Sequence, residues 1–388
     1  MDGEVVPFNR PYATGRELGY IQQAIDASET AAGGPFAQRC EEWLARHHGS
    51  AAALLTHSGT GALELAALLS GVGPGDEVIM PSFTYITTAS AFVLRGAVPV
   101  FVDVREDTLR IDADLVAGAI TPRTKAVVPV HYAGAAVDMD PLLELAHEHG
   151  LMVIEDAAHA LPSDYRGRQL GSLGELGALS FHETKNLTCG EGGALLVNDE
   201  RLVERARVLF DKGTDRARFM RGEVDKYSWC DVGSSFAASD ISAAFLWAQL
   251  EAVDEITASR REVWDTYHAA FAALEDDGRV RRPHVGTGGV HNAHLYGLQV
   301  TGPPGRDGVI DALAARGVQA VFHYVPLHLS EAGRGHGRAH GDLAVSERVS
   351  ARLLRLPLWA HMPAAAVQQV IRAVHEAVGA QAPATVSP

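Results

Sequence analysis

The stretch LGALSFHETKN, residues 176–186, joins a continuous apolar run to a short polar turn that carries a lysine. The run LGALSF has the length and composition of a buried strand. Lys185 is one of only four lysines in the chain, and arginine supplies the rest of the Lys+Arg total of 33. A lysine placed just beyond a buried strand either faces solvent or is a primary amine held at the edge of a sheet. The residues around this stretch decide between the two.

Similar apolar runs alternate with helix-like segments through the first two thirds of the chain. The runs are AAALLT (51–56), EVIMP (77–81), PVFVDV (99–104), KAVVPVH (125–131), LMVIEDA (151–157), LGALSF (176–181) and GGALLVN (192–198). Continuous Val/Ile/Leu runs separated by helices are typical of a mostly parallel sheet that is sandwiched by helices. After about residue 240 a long helical segment leads into a smaller α+β region. We therefore predict an α/β fold with a large domain over residues 1–245, a small C-terminal domain over 246–388, and an N-terminal segment that packs on the small domain.

Composition and charge exclude several classes of protein. The chain has 388 residues and a formal net charge of −15, so it lacks the basic excess that nucleic-acid-binding proteins carry. No apolar run approaches the ~20 residues of a membrane span, and the N-terminus lacks a signal-peptide pattern. We predict a cytoplasmic protein with neither a nucleic-acid nor a membrane partner. Cys40, Cys189 and Cys230 lack zinc or disulfide spacing, so we interpret them as reduced packing residues and predict no metal site.

The segment THSGTGALEL, residues 56–65, places Ser58, Gly59 and Thr60 between a strand and a helix. Free N–H groups at a helix start, with hydroxyls beside them, can bind a phosphate. The alternative is an ordinary N-cap, which would need only Ser58. A dinucleotide-binding fingerprint is rejected because the sixth position, counted from Gly59, is Glu64 rather than glycine or alanine.

Two further strand ends carry groups that suit a flat, charged ligand. Asp156 and His159 lie at the end of the strand-like run LMVIEDA, and a carboxylate at a buried strand end needs a cation or a donor as its partner. A capping role for Asp156 is the alternative. Tyr85 follows the run EVIMP, where an aromatic side chain either packs in the core or stacks on a flat ring. Ligands bind at the carboxyl ends of parallel strands, so these groups and Lys185 are expected at one edge of the sheet.

Pyridoxal phosphate (PLP) needs this set of groups. Its aldehyde forms a Schiff base with a lysine, and its ring nitrogen must stay protonated to draw electrons. An anion beside that nitrogen favours the protonated form, so Asp156 is expected to be ionised. We therefore predict PLP as the cofactor, joined to Lys185.

These residues resemble the fold-type I, PLP-dependent aminotransferases that act on nucleotide-linked ketosugars, an aspartate-aminotransferase-like family. The resemblance is closest to the TDP-4-amino-4,6-dideoxygalactose transaminases and runs over nearly the whole chain. It is carried by the segments PFNRPYATGRELGY, GDEVIMPSFTYITTASAFVLRGAVPVFVDV, VVPVHYAG, IEDAAHA, SFHETKN, GEGGALLVND, VDKYSWCDVGSS and VFHYVPLH. SFHETKN together with DKYSW and DVGSS is a specific combination, whereas GEGG or EDA alone is weak.

The resemblance implies a role for each matching residue. Lys185 would form the Schiff base and shuttle a proton, and Asp156 would pair with the pyridinium nitrogen. The other cofactor contacts would be stacking by Tyr85, a hydrogen bond near the ring oxygen from His159, and phosphate contacts from Gly59, Thr60 and Ser180. Ser235 stands where many relatives place an asparagine of the partner subunit on the phosphate. The substrate contacts would come from Lys212, Arg221, Tyr324 and His328.

The resemblance also implies a homodimer with shared active sites and a two-step exchange of an amino group. Glutamate would be the donor, TDP-4-keto-6-deoxy-D-glucose the acceptor, and TDP-4-amino-4,6-dideoxy-D-galactose the product. One alternative is an aminotransferase that acts at another position, or on another nucleotide-linked ketosugar or a cyclitol. A sugar dehydratase of the same fold would replace the lysine with histidine. A non-catalytic PLP-fold regulator would be expected to lose Lys185 or Asp156.

Two C-terminal segments are predicted to be irregular. GRGHGRAHGD, residues 333–342, is rich in histidine and glycine, which favours a mobile surface loop over a metal site. The polar tail QAPATVSP, residues 381–388, is expected to fray.

Overall fold

The computed structural model of this chain describes residues 5–286 and 288–380. The tail QAPATVSP, for which fraying was expected, lies outside the described residues. The strands are β1 (Ala52–Thr56), β2 (Glu77–Pro81), β3 (Val98–Val102), β4 (Thr124–Val127), β5 (Met152–Asp156), β6 (Asp164–Tyr165), β7 (Arg168–Gln169), β8 (Leu176–Ser180), β9 (Gly193–Val197), β10 (Val280–Arg281), β11 (Tyr296–Val300), β12 (Val321–Phe322), β13 (Arg338–Ala339) and β14 (Leu353–Leu356).

The helices are α1 (Glu17–Asp26), α2 (Pro35–His48), α3 (Gly59–Ser70), α4 (Ile86–Val93), α5 (Ala113–Ala117), α6 (Met139–His149), α7 (Glu200–Phe210), α8 (Arg216–Met220), α9 (Asp240–Leu250), α10 (Val253–Ala270), α11 (Ala272–Asp276), α12 (Gly305–Ala314), α13 (Glu331–His336), α14 (Ala344–Arg352) and α15 (Ala364–Ala377). The long helical segment predicted after residue 240 is therefore divided into α9, α10 and α11. Short 3-10 turns lie at Tyr132–Gly134 and Leu327–Leu329.

The large sheet has the strand order β1-β9-β8-β5-β4-β2-β3-β13. β9 is antiparallel to β1 and to β8, while the pairs from β8 across to β13 are parallel. The predicted α/β class with a mostly parallel sheet is confirmed. Each of the seven apolar runs overlaps one strand of this sheet. The largest error concerns the run 125–131, whose strand β4 already ends at Val127.

The strands are apolar on both faces because helices cover both faces of the sheet. Val78, Ile79 and Met80 of β2 are all fully buried, although successive side chains of a strand point to opposite faces. Ile79 belongs to one hydrophobic core, and Val78 and Met80 belong to another. A sheet buried in this way exposes mainly its strand ends, so the loops at those ends are where a ligand can bind.

A smaller antiparallel sheet, in the order β10-β11-β14-β12, packs with α10, α12 and α15 around a core of its own. Val6 joins this core and exchanges backbone hydrogen bonds with Gly317 and Gln319, so the N-terminal segment packs on this part of the chain. Ile256 lies in a core of the large sheet, whereas Val263 lies in the core of the small one. We propose that the cores belong to the predicted large and small domains, and that α10 contributes to both.

The cysteines are free thiols: Cys40 is buried, Cys189 is half-buried and Cys230 is exposed. Their interpretation as packing residues is therefore wrong for Cys230. Within the described ranges, no helix is long and apolar enough to cross a membrane, and no group of three or more His, Cys, Asp or Glu could hold a metal ion.

The prediction of a mobile loop at residues 333–342 is wrong. The segment contains the end of α13 and the strand β13, which pairs in parallel with β3 at the edge of the large sheet. Arg338 of β13 donates two hydrogen bonds, of 3.0 and 2.8 Å, to the carboxylate of Glu77 on β2. Glu77 also accepts from Arg123 and Thr121. This buried carboxylate anchors a segment whose own composition favours a loop.

We expect Glu77→Gln to destabilise the protein at neutral pH and to matter less in acid. Hydrogen bonds from Arg338, opposed by burial, lower the pKa of Glu77 from its ordinary 4.5 to about 2. A group whose pKa is lowered by folding adds stability above its unfolded pKa and loses it as pH falls from 4.5 to about 2. Because both arginines are partly exposed, the expected loss is about 1–2 kcal/mol. Urea unfolding of both proteins at several pH values measures it; a difference that stays constant from neutral pH down to pH ~2 would contradict the pKa argument.

Candidate active site

Lys185 lies in the turn that follows β8, where its backbone N–H donates to the carbonyl of His182 at 2.9 Å. Burial lowers the pKa of the Lys185 amine to about 8; the negative charge of Asp156 opposes this shift, and the positive charge of Arg355 adds to it. A neutral amine is the nucleophilic form of lysine. At a given pH the neutral, nucleophilic form of Lys185 is therefore more populated than that of a fully solvated lysine.

Asp156 ends β5 and is only 5% exposed. Its Oδ2 accepts a hydrogen bond from the hydroxyl of Thr88 at 2.7 Å, and its Oδ1 accepts one from the N–H of Ala158 at 3.2 Å. The Ala158 bond is the local contact that a capping aspartate makes. The Thr88 bond comes from α4 and fixes the carboxylate in a buried position within electrostatic reach of Lys185.

The start of α3 lies beside the end of β8. Ser58 is the N-cap of α3, and its hydroxyl oxygen accepts the N–H of Gly61 at 3.0 Å, so Ser58 does what the ordinary-cap alternative requires. The N–H groups of Gly59 and Thr60 belong to the first turn, which has no acceptor within its own helix. A Cβ at Gly59 would lie 2.8 Å from Cβ of Ser180. Glycine is therefore needed for α3 to approach β8 this closely.

Aromatic and imidazole rings form a cluster beside these groups. Tyr85, at the N-cap of α4, is 55% exposed, and its ring centre is 6.1 Å from that of Tyr324. The Tyr324 hydroxyl is 3.3 Å from Nε2 of His159, whose ring stacks on His294 at 4.2 Å. His323 stacks on Tyr324 at 3.6 Å. Burial lowers the pKa of His159, His294 and His323 well below the ordinary range, so all three rings are neutral.

Arg355 of β14 brings a second positive charge to this cluster. Its Nε and Nη2 donate to the carbonyl oxygen of Phe322 at 3.3 and 2.9 Å, and its guanidinium lies 4.8 Å from the ring centre of Phe8. No carboxylate in residues 5–286 or 288–380 forms an ion pair with Arg355. Its charge contributes to the lowered pKa of both Lys185 and His159. The site thus has an unneutralised cation close to its reactive amine.

Tyr132 also belongs to this cluster, because its hydroxyl lies 2.7 Å from Nδ1 of His323. The sequence did not single out four residues of the cluster: Tyr132, His294, His323 and Arg355. They come from four separate segments. Tyr132 and His323 lie in VVPVHYAG and VFHYVPLH, where no role was assigned to them, and His294 and Arg355 lie outside the quoted segments. His323 precedes the predicted Tyr324 directly, but nothing in the sequence shows that the two rings stack.

The remaining predicted residues make contacts outside this cluster. Lys212 pairs with Asp211 at 2.7 Å, and Arg221 pairs with Glu223 and Glu204 at 2.6 and 2.7 Å. Ser235 is exposed, and its backbone forms an isolated antiparallel β-bridge with the backbone of Asp211. The ring nitrogens of His328 lie 2.6 Å from Ser82 Oγ and 3.1 Å from Glu347 Oε1, so His328 already has two partners. The roles assigned to these residues stay predictions.

The groups present fit PLP. The first turn of α3 offers N–H donors for a phosphate, and Gly59 leaves room where a side chain would collide with Ser180. Lys185 offers the amine and Asp156 the carboxylate. Nδ1 of His159 is buried and has no hydrogen-bond partner in the described part of the chain. A buried polar atom without a partner is costly, and a polar ring in the site would provide one.

Comparison with known proteins gives the same picture. The sequence profile of the DegT/DnrJ/EryC1/StrS aminotransferase family matches residues 11–375. GDP-perosamine synthase of Caulobacter vibrioides is 39% identical over 374 residues, which cover 94% of this chain and 96% of that protein. The spore coat polysaccharide biosynthesis protein SpsC of Bacillus subtilis is 36% identical over 381 residues, covering 96% and 97%.

Solved structures agree in fold over nearly the full length. DesV of S. venezuelae matches with a TM-score of 0.88 at 35% identity, covering 97% of this chain and 99% of that chain. Spr1654 of Streptococcus pneumoniae, solved in a PLP-form, matches with a TM-score of 0.88 at 27% identity, covering 96% and 98%.

Proposed function

The chain belongs to the DegT/DnrJ/EryC1/StrS aminotransferase family, and we propose that it moves an amino group from glutamate to C4 of TDP-4-keto-6-deoxy-D-glucose, giving TDP-4-amino-4,6-dideoxy-D-galactose. It is a PLP-dependent sugar aminotransferase. The observation that supports transfer best is that the half-buried Lys185, with its lowered pKa, lies within electrostatic reach of the buried Asp156. The combination of SFHETKN with DKYSW and DVGSS supports the choice of acceptor.

Each residue of the site has its own role in the proposed transfer of the amino group. Bound PLP supplies an aldehyde that exchanges amines and a ring that draws electrons. Nζ of Lys185, once free, would take the proton from the substrate carbon and deliver it to C4′ of the cofactor, a general acid–base step worth ~10²–10⁴-fold. The carboxylate of Asp156 would keep the ring nitrogen protonated. The N–H groups of Gly59 and Thr60 would hold the phosphate at the start of α3.

Arg355 supports an amino acid as the donor. The α-carboxylate of an amino acid is two bonds from the amine that reacts, so it must lie close to Lys185. A guanidinium without a carboxylate partner in the described chain, whose charge reaches Lys185, suits that carboxylate in charge. We propose that Arg355 binds it.

Arg355→Met is therefore expected to weaken glutamate binding by about 10–100-fold, the worth of one charged hydrogen bond. Single-turnover mixing of the PLP-loaded enzyme with glutamate measures the half-reaction, and mixing of the amine-loaded enzyme with ketosugar should change little. Arg316→Met is a matched control, since Arg316 forms an exposed pair with Glu376 at 2.7 Å. Equal losses with both substrates would refute the carboxylate role.

The acceptor is tested with a panel of ketosugars. The enzyme is incubated with glutamate and either TDP- or GDP-linked 4-ketosugars, and NMR gives the amine position and configuration of each product. The proposal requires amination at C4 of the TDP-4-keto-6-deoxy-D-glucose sample. GDP-perosamine synthase, the relative at 39% identity, favours a second candidate, a GDP-linked acceptor. Amination of GDP-linked substrates alone would reject TDP specificity and leave aminotransfer intact.

We also propose a homodimer with shared active sites, in which residues 212–235 reach the partner's site. This segment carries unusually exposed apolar side chains, among them Trp229 at 80% and Met220 at 70%, and such patches mark interfaces. A cytoplasmic location is also proposed. The dehydratase alternative is disfavoured because Lys185 is present, and the regulator because both Lys185 and Asp156 are.

Trp229→Asp is expected to weaken the dimer by about 30-fold or more, since buried tryptophans dominate interface energies, and to lower activity in proportion to dissociation. Analytical ultracentrifugation and activity, both measured over a range of protein concentration, check this. Val290→Asp, at an exposed apolar residue outside the segment, is the control. A fully active Trp229→Asp monomer would contradict shared sites.

A further inference from the structure

The imidazole of His159 has one ring nitrogen with a partner and one without. Nε2 lies 3.3 Å from the hydroxyl of Tyr324, whereas Nδ1 is buried with no hydrogen-bond partner in the described parts of the chain. His159 lines the same cavity as Lys185 and Ser180. The unpaired nitrogen therefore belongs to the site in which PLP binds.

The count of protons and acceptors distinguishes two arrangements of this pair. A neutral imidazole has one N–H and one acceptor nitrogen. If Nε2 donates to the Tyr324 oxygen, the hydroxyl proton needs a further acceptor, and no other hydrogen bond of that hydroxyl appears in the described structure. If the hydroxyl donates to Nε2 instead, the hydroxyl proton has an acceptor, and the N–H at Nδ1 is the single donor of the pair without a partner. The second arrangement leaves fewer buried groups unpaired.

We infer that Tyr324 donates its hydroxyl proton to Nε2 of His159 and thereby holds His159 as the Nδ1–H tautomer, a hydrogen-bond donor to the ring oxygen of bound PLP. That oxygen carries negative charge beside the carbon that Lys185 attacks. Tyr324 is then a positioning residue that acts through His159. Tyr324 follows β12 of the small sheet, and His159 follows β5 of the large sheet. The position of the proton on His159 therefore depends on the packing of one sheet's loops against those of the other.

Tyr324 can select the tautomer of His159 only if that imidazole is neutral, and its surroundings keep it neutral. A protonated imidazole would donate from both nitrogens whatever Tyr324 did. The positive charges of Lys185 and Arg355 oppose protonation, as does burial. The stacked ring of His294 is neutral for the same reason, and its Nδ1 lies 3.0 Å from Oδ1 of Asn186, next to Lys185. The rings of Tyr132 and His323 lie 6.1 and 6.3 Å from that of His159, and the charge of Asp156 acts on Tyr324.

The first test is the pH titration of the visible absorbance of the PLP-loaded enzyme, without amino donor or sugar. A donor to the ring oxygen disfavours the proton that this oxygen shares with the Lys185 nitrogen, so it lowers the pKa of the absorbance change. Tyr324→Phe removes the hydroxyl, and we expect that pKa to rise by about half to one pH unit, the worth of one neutral hydrogen bond.

The variant His159→Asn makes the test specific. The asparagine amide can place a donor near the position of Nδ1 and has no tautomers. Tyr324→Phe is therefore expected to leave the titration unchanged in the His159→Asn background. An equal shift in both backgrounds would overturn the inference, because Tyr324 would then act by a route other than the tautomer.

The second test needs no cofactor and no variant that must bind one. Nitrogen-15 chemical shifts of histidine-labelled protein without PLP report which ring nitrogen carries the proton, and the His159 signal is assigned by its loss in His159→Asn. We expect a protonated Nδ1 in the wild type and a mixture in Tyr324→Phe. A wild-type His159 protonated at Nε2 would overturn the inference.

Discussion

Replacing Lys185 with alanine is expected to abolish transamination, with a loss of at least about 10⁴-fold in turnover. The substitution removes both the covalent anchor of PLP and the proton shuttle, and the shuttle alone is worth ~10²–10⁴-fold. No other lysine can substitute, because Lys125 and Lys226 are exposed and Lys212 is paired with Asp211. Steady-state assays with glutamate measure the loss. Borohydride reduction followed by mass spectrometry should find PLP on the Lys185 peptide of the wild type and on no peptide of the variant.

Lys125→Ala is the matched control for this experiment. Lys125 lies on β4 with an exposed side chain, so its loss should change neither turnover nor covalent labelling. Turnover of Lys185→Ala at a rate near that of the wild type would end the proposed mechanism, whatever the control did.

The sequence predicts the strands of the large sheet well because each strand is marked by a pattern in a few consecutive residues. Buried parallel strands are continuous apolar runs, and β2 and β8 fill the runs EVIMP and LGALSF almost residue for residue. The same locality explains Lys185 and Asp156. Asp156 is the last residue of β5 and Lys185 lies in the turn after β8, and the carboxyl ends of neighbouring parallel strands meet at one edge of the sheet.

The errors concern contacts between distant parts of the chain. Residues 333–342 look like a loop, yet Arg338 is held by Glu77, which lies far earlier in the sequence. Arg355, His294 and His323 reach the site from the smaller sheet and the loops around it, which no local pattern places beside Lys185. Ser58 could not be assigned from the sequence because serine is suitable both as a helix N-cap and as a phosphate ligand. Only the hydrogen bond from the N–H of Gly61 to its hydroxyl oxygen shows the capping role.

The neighbouring carboxylates Glu155 and Asp156 allow structure and chemistry to be separated. Glu155 is fully buried, and its oxygens accept from His131 at 2.8 Å and from the N–H groups of Gly171, Leu173 and Gly174 at 2.6–2.8 Å. All four partners donate to Glu155, whereas the NH2 group of a glutamine can only donate. At least one of these buried N–H groups would then face another donor instead of an acceptor. Glu155→Gln is therefore expected to lower the free energy of unfolding by about 3 kcal/mol.

Asp156→Asn is expected to do the opposite: to preserve the fold and to remove the chemistry. The amide oxygen of asparagine can still accept from the N–H of Ala158, and its NH2 group can donate to the hydroxyl of Thr88, which can turn its own proton toward Thr84. The melting temperature should therefore stay near that of the wild type, and PLP should remain attached to Lys185. Without the negative charge the ring nitrogen loses its proton and draws electrons poorly, so turnover should fall by at least about 10²-fold. Calorimetry and steady-state assays on the two variants decide the matter. If Asp156→Asn melts as early as Glu155→Gln while turning over normally, the carboxylate at 156 is a cap, and the electron-sink role assigned to it is wrong.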